Sequence, residues 1–262
     1  MEAVTGIFFS QNEAEDAVKV LRATGLQADK ITLLTPGHIK ELESLPVDST
    51  EQPGMGKAMG ALLGAATGLS GGALLVAAVI PGVGPVTAAG LLGGAILAAA
   101  GATVGASVGG SMENSATEGL PEDEIFVYED ALRKGRTVVI AFAQDEPQAE
   151  HLRELFRLQG AEAIDVARHQ WWIGLRSAER EHYATSGKNF ADDEKFYRLG
   201  FEAALHAKSR CKEFDQVSAE MARDIEDLEQ KHPGAAISEA YTRGYQRGRD
   251  YYQQLCNEKK AA

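Results

Sequence analysis

Residues 58–112 contain no Asp, Glu, Lys, Arg or His, in a 262-residue chain that is otherwise rich in charge. An uncharged run of 55 positions either enters a bilayer or packs almost wholly against protein. It holds 14 of the 28 glycines and breaks once, at Pro81, Gly82, Val83, Gly84 and Pro85. Two uncharged helices joined by a tight turn are the simplest expectation. Residues 58–80 make about 34 Å of helix and residues 86–110 slightly more, enough to cross a hydrocarbon core of about 30 Å. In the turn, Pro81 and Pro85 remove backbone donors, while Gly82 and Gly84 accept the positive φ of a sharp reversal. So short a connection makes the two helices antiparallel neighbours.

The small residues are periodic. Gly60, Gly64, Gly68 and Gly72 recur every fourth position, as do Gly101, Gly105 and Gly109. Gly90 and Gly94 begin a further stripe that continues through Ala98, Ala102 and Ala106. On a helix each stripe lies along one face and lets a second backbone approach closely, a recognised association device in lipid. In water each glycine costs a helix up to about 1 kcal/mol relative to alanine. Against insertion stand the modest content of Leu, Ile and Phe and the single flanking Lys57. The alternative is a helical hairpin buried between protomers of a soluble oligomer.

On either side the pattern changes. Residues 3–9 read as a strand, and Asn12 as the cap of a helix carrying Ala14, Ala17, Val18 and Leu21 on one face. Residues 30–35 read as a second strand. After the hairpin, residues 121–134 read as a helix, 137–143 as a strand rich in β-branched residues, 147–159 as an amphipathic helix and 163–168 as a fourth strand. Two β-α-β halves, each too small to bury a core alone, join into a ferredoxin-like α+β domain interrupted by the hairpin. The first half spans 1–52, the glycine-zipper hairpin 56–112 and the second half 118–170.

Several of these segments carry a resemblance. The opening Gly6-Ile-Phe-Phe, the helix NEAEDAVKVLRATG, the turn IPGVGPVTAAG and the stretch VYEDALRKGRTVVIAF are similar to the bacterial general stress protein and low-temperature-induced protein families. The resemblance covers roughly residues 3–168. It implies a stress-linked, non-catalytic, membrane-associated protein, and it supplies no catalytic residue.

Residues 171–191 read as a linker that carries both tryptophans, Trp171 and Trp172, either as an interfacial anchor or as a pad docked on the sheet. Residues 192–258 read as an all-α module of three helices with an internal repeat. Tyr197, Gly200 and Phe201 match Tyr241, Gly244 and Tyr245 at an offset of 44 residues, in the pattern Tyr-x-x-Gly-aromatic-x-x-small. That pattern predicts two helices crossing closely at the glycines.

Chemistry is thinly signalled. A net charge of −12 argues against non-specific nucleic-acid binding. Glu202 and His206 sit four apart, whereas bundle metal sites use paired Glu-x-x-His motifs, so no metal is expected. No phosphate loop or dinucleotide fingerprint occurs, and no nucleophile lies in a recognisable motif, so neither cofactor nor catalytic residue is expected. Arg243, Arg247 and Arg249 make the last helix locally basic, which suits anionic headgroups or a solvated face. The expectation is a non-enzymatic stress-response scaffold. It self-associates and is held at the cytoplasmic membrane by its hairpin, with both flanking domains in the cytosol. The alternative is a cytoplasmic homo-oligomer that binds a small ligand.

Overall fold

The computed structural model describes residues 2–37, 75–80, 82–90, 93–101, 103–104, 121, 123–185, 187–210, 212, 214–233 and 236–258. The chain divides into two compact units. One comprises Met1–Pro121 and Val127–Ala167, the other Glu122–Phe126 and Arg168–Ala262.

The first unit is an antiparallel sheet with interleaved helices. Its strands are β1 (Glu2–Phe8), β2 (Ile31–Pro36), β3 (Leu75–Ile80), β4 (Gly84–Ala89), β5 (Thr103–Val104), β6 (Thr137–Ala143) and β7 (Glu162–Ala163). They lie in the order β5-β3-β4-β2-β6-β1-β7, and the two outermost are two-residue strands. Its helices are α1 (Gln11–Ala23), α2 (Gly93–Ala99), α3 (Ile125–Arg133, which enters this unit at Val127) and α4 (Glu146–Leu158). α1 leads from β1 to β2 and α4 from β6 to β7, so β1 and β2 flank β6.

α1 starts two residues earlier than Asn12 suggests. Ser10 is the N-cap, and its hydroxyl and the Glu13 carboxylate bond each other's backbone N–H in a capping box. The helix buries Ala14, Ala17, Val18 and Leu21 against Val4, Phe8, Ile31, Leu33 and Val139 of the sheet. α4, capped by Asp145, adds Ala149, Leu152 and Phe156 to the same core. Each large aliphatic side chain fully buried there contributes about 1.5–3 kcal/mol. The opposite face is also covered. Ile7, Leu34, Val138 and Ile140 are buried on it, and the Tyr128 hydroxyl of α3 bonds the Thr5 hydroxyl at 2.9 Å. A sheet covered on both faces explains why β6 is buried at every position and apolar from Val138 onward rather than alternating.

The main correction concerns the uncharged run. Where it is described, the chain reverses as two strands rather than two helices. β3 and β4 pair from Leu75↔Ala89 to Ile80↔Gly84, and β4 pairs onward with β2 from Leu33↔Ala89 to Pro36↔Val86. The turn does lie where Gly82 and Gly84 place it. The Val83 N–H donates to the Ile80 carbonyl, and Gly82 and Gly84 take φ of +77° and +114°. The physical reason lies around the turn: Val76, Val79, Ile80, Val83, Val86 and Thr87 are β-branched and favour extended backbone. Burial along β4 then alternates, with Val86 and Ala88 buried and Pro85 and Thr87 half-buried. Residues 86–110 therefore do not form one spanning helix, because β4, α2 and β5 divide them. Gly90 ends β4, Gly94 is buried in α2, and Gly101 follows α2 at φ +73°. Gly60, Gly64, Gly68, Gly72, Gly105, Gly109 and Pro81 lie outside the described residues. Among the described residues, no helix is long and apolar enough to cross a membrane.

The second correction is local. Of the expected strand over 163–168 only Ala163 is extended, as the end of the two-residue β7, and the chain then turns into α5 (Ile164–Ala184), a 21-residue helix. Both tryptophans lie on that helix, not on a linker. The boundary between the two units falls within it.

The second unit is helical. Beyond α5 it contains α6 (Phe190–Leu205), α7 (Phe214–Lys231) and α8 (Ile237–Glu258). α7 is amphipathic and places Val217, Met221 and Ile225 in a core shared with Phe196, Ala203, Ala240, Tyr241 and Tyr245.

Candidate functional site

The residues of the Tyr-x-x-Gly repeat meet where α6 crosses α8. A Cβ placed on Gly200 would stand 2.0 Å from the Tyr241 carbonyl oxygen, and one on Gly244 would stand 1.9 Å from the Tyr197 carbonyl oxygen. Gly248 faces the Phe201 carbonyl oxygen in the same way, at 2.4 Å, with Ala204 alongside. Contacts step forward together along both helices, so they cross running in the same sense, backbone against backbone. Gly200 with Ala204 and Gly244 with Gly248 form two small-x-x-x-small pairs that remove the bulk such a crossing cannot hold.

The aromatic residues of the repeat surround this crossing and each does a different job. Phe201 is fully buried between Trp171 and Trp172, with ring centroids at 5.9 and 5.8 Å. Tyr197 donates to Glu179 of α5 at 2.8 Å. Tyr241 donates to the Met221 sulfur of α7, and Tyr245 to the Ser209 carbonyl oxygen. The matched tyrosines thus tie α6 to the helix before it and α8 to the helix before it.

The strongest electrostatic feature was not visible in the sequence. Glu179 is only 1% exposed and receives three hydrogen bonds: one from Tyr197 and two from the Arg247 guanidinium, at 3.1 and 2.9 Å. A charge taken out of water this completely needs such a partner, since desolvation alone costs several kcal/mol. Burial, then the charge of Glu179, pushes the Tyr197 phenol well above its ordinary value. One turn further along α5, Tyr183 donates to Asp193 at 2.6 Å. Burial first, and that bond second, push its phenol up to about 12. On the other side, Arg176 makes a two-pronged bond to Glu194, which also accepts from the Trp172 indole. The Arg176 bond holds the Glu194 carboxyl below the usual carboxylate range. No local motif announces this network, because its partners are 18 and 68 residues apart.

The remaining candidates fall into structural roles. Arg243 pairs with Glu239 and lies over the Tyr183 ring, and Arg249 pairs with Asp250. Glu202 is buried against Arg198, while His206 caps the end of α6 and stacks on Phe126. Among the described residues no group of three or more His, Cys, Asp and Glu side chains is placed to hold a metal ion. A shallow apolar depression between α1, β2 and β4, with Arg22 at its edge and Gly90 in its lining, has room for little more than a water molecule.

In the sheet unit the uncharged hairpin is fixed at three places. β4 pairs with β2, the Gly37 N–H donates to the Pro85 carbonyl oxygen at 2.8 Å, and Arg133 of α3 donates to the Gly82 carbonyl oxygen at 3.0 Å. On the far side, β5 pairs with β3 only at Ala78 and Val79 among the described residues. Val79 is 47% exposed.

The chain matches no protein-family model, no curated protein and no solved structure at a significant level.

Proposed function

We propose that this chain is a non-enzymatic, stress-linked scaffold that associates with copies of itself through its uncharged segment. The observation that carries the reading is the position of β3 and β4. They extend the sheet with residues that bear no charge, and Val79 of β3, paired on its far side only with the two-residue strand β5, is half exposed. An uncharged strand near a sheet edge is a template for further pairing unless it is covered. The titratable groups of the helical unit support the non-enzymatic reading, because the perturbed ones are committed to ion pairs and hydrogen bonds between helices. The strand order β2-β6-β1-β7, with α1 and α4 on one face, supports a ferredoxin-like plan for the sheet unit. The uncharged segment is then an insertion between its second and third strands. Stress linkage rests on the resemblance of residues 3–168 alone.

A second reading places the assembly on the cytoplasmic membrane, with both units in the cytosol. Its support is the uncharged run 58–74 that precedes β3, with glycines at every fourth position. At most about 26 Å of helix fits there, near the lower limit for crossing.

Fractionation followed by light scattering separates the readings. Self-association predicts a discrete oligomer that stays in the supernatant without detergent. Val79→Lys dissociates it and leaves the far-ultraviolet circular dichroism unchanged. A strict monomer at high concentration overturns the proposal. Recovery only in detergent, relieved by deleting residues 58–72, selects the membrane reading.

A further inference from the structure

We draw no further inference here: the strongest candidate, the uncharged surface around half-exposed Val79 of β3, belongs to the assembly surface already proposed, and nothing in the structure shows what covers it.

Discussion

Gly200 of α6 rests directly against the carbonyl oxygen of Tyr241 in α8, and Gly244 of α8 repeats the contact on Tyr197 of α6. The two contacts exchange under the 44-residue offset that relates the two copies of the sequence pattern. The crossing is thus nearly symmetric in itself, and each copy supplies both a glycine and the carbonyl that the other glycine meets.

A methyl group at either glycine must push the helices apart, since it would meet backbone rather than a movable side chain. Gly200→Ala and Gly244→Ala should each destabilise the helical unit by about 3 kcal/mol, the upper range for overpacking. Gly174→Ala is the matched control. It lies on α5 with open space where the Cβ would go, so it should stabilise by about 0.5–1 kcal/mol. Both tryptophans are on α5, so denaturant unfolding followed by tryptophan emission reads this unit. Equal midpoints for the three variants would show that the crossing is not tight.

Arg247→Met strands the Glu179 carboxylate in the interior. Removing one partner of a buried pair costs about 3–5 kcal/mol, whereas replacing both with apolar residues is often neutral. The double variant Glu179→Leu, Arg247→Met should therefore be more stable than Arg247→Met alone. A double-mutant cycle by chemical denaturation measures the coupling. Additive losses would mean that the carboxylate is solvated in the folded protein.

Much of this architecture can be read from residue order, and the failures share a cause. The α1 face, the β6 run and the repeat glycines are legible because each reflects one local period, 3.6 or 2, or one residue type that tolerates close approach. The run 75–89 misleads because Ala and Gly suit either period. Its β-branched residues point to strands, but what decides between them is β2, some fifty residues away, which offers β4 a free edge. The strand expected at 163–168 fails similarly. Ile164 and Val166 favour extension, yet only Gly6 and Ile7 of β1 pair with β7, and the helix that buries Trp171 and Trp172 takes over. Glu179 and Arg247 carry no signal at all, because each is an ordinary polar helix residue until its partner is brought to it.

Stability of the helical unit should fall at both ends of the pH scale, through different residues. The Glu194 carboxyl is held below its unfolded value by Arg176, so its contribution is complete above the ordinary carboxylate range. That contribution is lost as pH falls through the lowered value. Glu194→Gln should flatten this acid limb. Tyr183 behaves oppositely. Its folded value of about 12 exceeds the ordinary 10, so the folded state keeps a proton that the unfolded state releases. Stability then declines between about pH 10 and 12, and Tyr183→Phe should remove that slope. Denaturation midpoints across pH, with tyrosinate absorbance of the folded protein, test both. An unchanged acid limb in the glutamine variant, or tyrosine ionisation complete near pH 10, would contradict the assignments.

The strand assignment for 84–89 makes the sharpest prediction, because a strand and a helix place neighbouring residues on different faces. In β4, Val86 and Ala88 are fully buried, whereas Pro85 and Thr87 are half-buried. Val86→Asp and Ala88→Asp each bury a carboxylate without a partner and should abolish stable folding of the sheet unit, at several kcal/mol. Thr87→Asp loses the hydroxyl contact with Thr35 but keeps solvent access, and should cost about 1–2 kcal/mol. Gly90→Ala adds a constraint at the strand end. Its φ is +127°, and a Cβ would stand 2.4 Å from the Ile31 carbonyl oxygen, so the substitution should cost at least as much as Thr87→Asp. Hydrogen exchange completes the test: the amides of β4 that pair with β2 should exchange as slowly as those of β6. Alternating tolerance at 86, 87 and 88 marks a strand, while equal tolerance at 87 and 88 with slow exchange through residues 86–110 restores the continuous helix.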